Sequence, residues 1–171
     1  MTLPSPTARL EFGRWTAADL ERATSLWSNA EVMHFLGGPY THDEVVARLQ
    51  TEAKHDEMYG IQYWPVFVEG EFAGCCGLKP MKDDLEIGFH FLPKFWGAGY
   101  ASEAARAVIS HVEGRTLYAG HHPDNDASRT LLTRLGFTQI GTHFFARTGL
   151  QHPWYVRPTT DRGAAGLGPP R

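Results

Sequence analysis

In the stretch PKFWGAGYASEA, Pro93 to Ala104, two glycines stand one residue apart, Gly97 and Gly99. The strand-like run LEIGFHFL precedes them and the helix-like run YASEAARAVISHV follows. A turn that hands a strand to a helix gathers unpaired N–H groups and the positive end of the helix dipole at one point. Glycine lets a ligand approach that backbone closely, so the chemistry served is the holding of phosphate oxygens. A P-loop needs GxxxxGK[ST], and the lysine is absent. A dinucleotide turn needs GxGxxG and an acid about 20 positions on. Here Ser102 fills the third glycine position, and Ala119 and Gly120 lie where the acid belongs. Coenzyme A is the third reading: diphosphate on the helix N-terminus, pantetheine along the preceding strand. It requires the sheet to splay between LEIGFHFL and TLYAGHH, so that the first strand's C-terminal end offers free backbone groups. The plain alternative is a turn that only connects.

These residues need a scaffold, and the rest of the chain reads as one. RLEFGRW has the pattern of a strand. DLERATSLWS, residues 19 to 28, carries Leu20, Ala23, Thr24 and Trp27 at helical spacing. THDEVVARLQTEAKH, residues 41 to 55, opens with Thr41 and Glu44 at capping-box spacing. GIQYWPVFV, FAGCCGL and LEIGFHFL are strands joined by the short turns EGE and KPMKDD, an antiparallel meander. A helix from about Gly99 to Val112, a strand TLYAGHH, a helix NDASRTLLTRLGF stopped by Gly136, and a hairpin of TQIGTHFFAR with HPWYVRP complete it. The order β-α-α-β-β-β-α-β-α-β-β predicts a mixed α/β (α+β) domain around one mostly antiparallel sheet flanked by helices.

The chain of 171 residues suits one domain, expected over residues 1–158. Its 42% hydrophobic and 20% charged content fits a soluble globular protein. A net charge of −3 gives no support to nucleic-acid binding. No apolar run reaches the roughly 18 residues of a membrane span, and MTLPSPTARLEF lacks the features of a secretory signal. Cys75 and Cys76 are adjacent, so in a strand they point to opposite faces and form no disulfide. A reduced, cytoplasmic protein is the expectation. No CxxC, HxxxH or HExxH spacing suggests a metal site. RPTTDRGAAGLGPPR lacks large apolar residues, and a disordered tail is expected over 159–171.

The sequence resembles the GNAT N-acetyltransferases, whose acetyl-CoA motif is Q/R-x-x-G-x-G/A; Trp96, Gly99 and Ala101 occupy its positions. Trp departs from the general motif and is typical of the branch of the ribosomal-protein acetyltransferases RimJ and RimL. That branch's signature is similar to WGAGYASEA, Trp96 to Ala104. Its second signature, PxNxxSxxxLxxxGF, is met by PDNDASRTLLTRLGF, with Asn125, Ser128, Leu132, Gly136 and Phe137 in place. The resemblance covers roughly residues 9 to 157 and implies an acetyl-CoA-dependent N-acetyltransferase of GNAT-like fold.

By resemblance, the amides of Phe91 and Leu92 pair with pantetheine, and those of Gly97, Ala98, Gly99, Tyr100 and Ala101 hold the diphosphate beside Trp96. Lys94 and Arg129 are candidate phosphate partners or solvated surface residues. Asn125 is an N-cap by residue type, and the resemblance adds a hydrogen bond to pantetheine. Ser128 faces the coenzyme sulfur in the family pattern. With no tyrosine between Asn125 and Phe137, it is the candidate general acid for the leaving thiolate. An amine must attack uncharged, so a base is wanted: Glu86 through water, or His90, His121 or His122, each with a structural role as the plain alternative. Met33, His34, Phe35 and Tyr40, with Trp154 and Tyr155, are candidates for the acceptor's surroundings. The acceptor is a protein α-amine or a small amine; the acids at Asp43–Glu44, Glu52–Glu57 and Asp83–Glu86 also suggest a polycation. Direct attack in a ternary complex is expected, since Cys75 and Cys76 lack an evident His–carboxylate partner. A non-catalytic acyl-CoA-binding sensor is the rival from another class. The sequence does not separate a monomer from a homodimer.

Overall fold

The computed structural model describes residues 2–159. Its elements are β1 (Leu10–Phe12), α1 (Leu20–Trp27), α2 (His42–Tyr59), β2 (Tyr63–Val68), β3 (Glu71–Met81), β4 (Asp84–Phe91), α3 (Tyr100–His111), β5 (Leu117–Gly120), α4 (Asp126–Arg134), β6 (Thr138–Phe145) and β7 (Leu150–Arg157). This is the expected order. Positions 160–171 of the expected tail lie outside the described residues, and Thr159 is buried. No described helix is long and apolar enough to cross a membrane.

Local chemistry explains the boundaries. Thr41 and Glu44 form the expected capping box, each side chain accepting the other's backbone N–H at 3.3 and 2.8 Å. Helix α2 then runs past the expected His55 to Tyr59 and stops at Gly60, which is left-handed at φ 67°. The hairpin between β2 and β3 turns on Glu69 and Gly70, both at positive φ, as the two-residue primed turns require. The second hairpin is tighter than KPMKDD suggests. Lys79, Pro80 and Met81 pair with Glu86, Leu85 and Asp84, and only Lys82 and Asp83 turn.

The strands lie in the order β1-β2-β3-β4-β5-β7-β6, and every neighbour pair is antiparallel except β4 with β5. Cys75 and Cys76 fall on opposite faces, as adjacent strand residues must. On the Cys76 face, Trp64, Leu78, Ile87 and Phe91 pack with Ala104, Ala105 and Val108 of α3 and Leu132 of α4. On the Cys75 face, Tyr63 packs with Ala23, Leu26 and Trp27 of α1 and Val45 and Leu49 of α2. Each large side chain buried this way contributes about 1.5–3 kcal/mol. The two helix layers enclose β4, and a single 3-10 turn, Pro93–Phe95, joins β4 to the glycine turn.

Candidate active site

The parallel strands β4 and β5 pair at only two positions, Leu85 with Leu117 and Glu86 with Tyr118. Beyond Glu86, β4 continues through Phe91 against β3, and the expected splay opens on its other side. The Leu92 N–H donates to the Ala73 carbonyl at 2.9 Å, so position 92 belongs to the set facing β3. Antiparallel alternation then turns the N–H and C=O groups of Phe89 and Phe91 into the splay. This corrects the expectation for Leu92, whose amide is already paired. The Phe91 carbonyl accepts from the Trp96 indole N–H at 2.7 Å. Trp96 thus ties the glycine turn to the end of β4 while its ring stays half exposed.

The turn itself leaves backbone donors open. Gly97 and Gly99 have φ of 78° and 83°, a left-handed conformation that strains any other residue. Gly99 caps α3 with no side-chain hydrogen bond, leaving the first-turn amides unsatisfied by any cap. A side chain added at Gly97 would meet nothing within 4 Å. Lys94 lies on the Glu71 carboxylate at 2.7 Å, and Arg129 on Asp126 at 2.8 Å. Both pairs are exposed at the surface. The arginine at the turn is Arg9, 94 residues upstream of its partner Glu103 and invisible to local spacing.

At the start of α4 the N-cap reading of Asn125 holds: its Oδ1 accepts from the Ser128 N–H at 3.0 Å, leaving its Nδ2 as a donor. Ser128 is partly buried in the first turn, and its hydroxyl makes no hydrogen bond among the described residues. His121 is buried, and its Nδ1 donates to the His122 carbonyl at 2.7 Å. Its Nε2 therefore accepts from the Tyr155 hydroxyl at 3.1 Å. Burial lowers the His121 pKa and raises that of Tyr155. Tyr155 was legible only as an acceptor-side candidate; its pairing with His121 depends on the non-local register of Ala119 with Tyr155.

On the opposite face, Glu86 stands where β4 and β5 part, with Lys79 Nζ at 3.0 Å. Gly88 and His90 follow on the same face. The Tyr63 hydroxyl fills the space over Gly88, 2.3 Å from where a side-chain carbon there would be. Burial, then the Glu86 charge, hold the Tyr63 phenol well above its ordinary pKa. His90 is not a base. Its Nδ1 accepts from the Trp27 indole at 3.2 Å, and burial, with Arg48 and Lys79 adding, lowers its pKa to about 3. It does lie 3.9 Å from the Cys75 sulfur, a histidine neighbour the sequence did not reveal. Burial pushes the Cys75 thiol up, however, so the pair forms no nucleophile.

The acceptor-side candidates divide. Met33 is core, at 1% exposure. Phe35 packs on His122 with ring centroids 5.1 Å apart, and His122 on His152 at 5.4 Å. Trp154 stacks on Tyr118, on the Glu86 face. Arg147, in the β6–β7 turn, donates to the carbonyls of Leu36 and Gly38, both at 3.1 Å, pairs with Glu44 at 2.7 Å, and lies over the Tyr40 ring. One acid in each group proposed for a polycation is paired with its own cation: Glu44 with Arg147, buried Glu52 with Arg48, Glu86 with Lys79.

Comparison with known proteins agrees with this geometry. Residues 9–138 match the model of the acetyltransferase (GNAT) domain. The FsC-acetyl coenzyme A-N(2)-transacetylase of Aspergillus fumigatus is 32% identical over 161 aligned positions, which take in 81% of this chain and 66% of that protein's length. A GnaT-family acetyltransferase structure from Bordetella pertussis superposes with TM-score 0.77 at 22% identity, covering 90% of this chain and 98% of its own. RimL, a ribosomal L7/L12 alpha-N-protein acetyltransferase solved with coenzyme A, superposes at 0.76 with 17% identity, covering 91% and 97%. The chain belongs to the GNAT acetyltransferase family.

Proposed function

We propose that the chain is an acetyl-CoA-dependent N-acetyltransferase that moves an acetyl group to a primary amine by direct attack in a ternary complex. One observation carries the reading: β4 and β5 part after Glu86, and the strand so opened ends at an uncapped, glycine-bounded helix N-terminus. A thioester on a long arm with a diphosphate at its far end uses both features. The Phe91 N–H and Asn125 Nδ2 bind the arm. The amides of Gly97 to Ala101 bind the diphosphate, and Trp96 holds the turn to β4.

The amine enters on the Glu86 face and its nitrogen attacks the thioester carbonyl carbon. Glu86 takes the amine proton through water. The C–S bond breaks, and the Ser128 hydroxyl donates a hydrogen bond to the departing thiolate, leaving an amide and free coenzyme A. Positioning and strand amides supply most of the rate gain. The acceptor is a protein N-terminal α-amine or a small amine. The intact WGAGYASEA signature and the likeness to RimL support the RimJ/RimL-like branch, and the name of the fungal N(2)-transacetylase supports transfer from acetyl coenzyme A to a nitrogen.

The test is thiol release from acetyl-CoA with a peptide bearing a free α-amine, the same peptide N-acetylated, and a set of small primary amines. Coenzyme A should appear in step with one amide product. Binding of acetyl-CoA without transfer to any amine would overturn the reading and leave an acyl-CoA-binding module.

A further inference from the structure

Glu103 lies in the first turn of α3, and its backbone N–H opens the helix by donating to the Gly99 carbonyl at 3.0 Å. A carboxylate there is ordinarily welcome to the helix dipole, but it competes with any anion bound at the same terminus. This one is turned into the segment before β1. Thr7 Oγ1 donates to it, and Arg9 reaches it at 2.7 Å from Nε and 2.6 Å from a terminal nitrogen. Burial opposes it, yet the hydrogen bonds from Thr7 and Arg9 hold the Glu103 carboxyl below its ordinary pKa. The same guanidinium donates to the Ala98 carbonyl at 3.0 Å and stacks 4.5 Å over the Tyr100 ring.

The Ala98 contact fixes a direction. In a trans peptide the C=O and the following N–H point opposite ways. With the Ala98 carbonyl held toward Arg9, the Gly99 N–H is aimed away from it, out of the turn. Gly99 has no side chain to limit rotation of this peptide about its own φ, and the Arg9 contact holds the Ala98 carbonyl in place. Resting on the coenzyme A reading above, we propose that Arg9 is a positioning residue for the diphosphate. It orients the Gly99 amide toward the ligand and neutralises Glu103, the carboxylate at that helix terminus.

The two parts of this role are separable. Arg9→Gln loses the orientation and leaves Glu103 unneutralised. Glu103→Gln keeps Arg9 on Ala98 and removes the charge. The double variant lacks orientation but carries no stray carboxylate. Coenzyme A is titrated calorimetrically into all three and into the wild type, and the backbone amides are followed by ¹H–¹⁵N correlation spectra. Arg9→Gln should weaken coenzyme A about tenfold or more, as loss of a charged clamp implies. Glu103→Gln should stay within about threefold of wild type, and the double variant should bind tighter than Arg9→Gln. The Gly99 cross-peak should shift on binding in the wild type and hardly at all in Arg9→Gln, while Phe91 shifts in both. Arg9→Lys, keeping the charge without the two-point fork, covers the case in which Arg9→Gln does not fold; it should lie between the two. Wild-type affinity in Arg9→Gln, or Gly99 and Phe91 shifts lost together, overturns the proposal. If the wild type itself does not bind coenzyme A, the underlying reading fails and this proposal falls with it.

Discussion

Replacing Glu86 by Gln removes a proton acceptor while keeping size and polarity. The structure separates its two consequences by magnitude. The Lys79–Glu86 pair spans 3.0 Å, with side chains 41% and 17% exposed. Screened by solvent, such a pair contributes no more than about 1 kcal/mol. At this chain length the Tm should fall by no more than about 2–4 °C. Losing a general base typically costs about 10²–10⁴ in rate, or about 3–5 kcal/mol of barrier. The assay is thiol release at saturating acetyl-CoA from pH 6 to 10, with calorimetric Tm alongside. In the variant, log kcat/KM should climb with unit slope toward the amine's own pKa, about 7.7–8.0 for an α-amine, because the acceptor must lose its proton unaided. A variant within about threefold of wild type at every pH would falsify the assignment, and a Tm loss above about 10 °C would make Glu86 structural.

Ser128→Ala should lower kcat by about 10²-fold, the low end for an acid catalyst, with the KM for acetyl-CoA nearly unchanged; equal kcat would remove Ser128 from the mechanism. In Gly88→Ala the new carbon would lie 2.3 Å from the Tyr63 hydroxyl and 2.6 Å from its ring. Such overpacking costs about 1–3 kcal/mol, so Tm should drop several degrees, and an unchanged Tm would contradict the packing. His90 stays neutral in the fold down to a pKa of about 3, while the unfolded chain takes up a proton below about pH 6.5. Its contribution is therefore complete above pH 6.5 and is lost as pH falls, by about 3 kcal/mol at pH 4.5. His90→Gln, which keeps an acceptor for Trp27, should flatten the Tm profile between pH 7 and 4.5; an unaltered slope would contradict this. Arg147→Ala should speed amide exchange across residues 36–44, where Arg147 holds two carbonyls and Glu44; unchanged exchange would show that the β6–β7 turn does not brace this loop.

What the sequence revealed was what local chemistry dictates. The capping box of Thr41 and Glu44, the tight EGE turn, the Gly97–Gly99 turn between strand and helix and the Asn125 cap each depend on a few adjacent residues. The splay between β4 and β5 was also foreseeable, because a ligand arm had to reach backbone there. Contacts set by register or by distant segments were not. Alternation along β4, which no composition encodes, assigned the Leu92 amide to Ala73. Arg9 meets Glu103 only because α3 packs on the sheet face lined by Leu10 and Phe12 of the edge strand β1. Tyr155 reaches His121 across the β5–β7 ladder, and Tyr63 finds Gly88 across β3. Lys94 meets Glu71 through a non-local contact, whereas the Asp126–Arg129 pair has the i, i+3 spacing of a helix and was open to sequence reading.

Acetyl-CoA held by the splay and the glycine turn must stabilise the fold. Thermal unfolding with acetyl-CoA, and with NAD as the control, tests it most directly. At about 100 times its dissociation constant a ligand stabilises the native state by about 2.7 kcal/mol, a Tm rise of about 5–11 °C for a chain of this size. That rise is expected with acetyl-CoA and none with NAD. No rise with acetyl-CoA, or an equal rise with both, would contradict the coenzyme A reading.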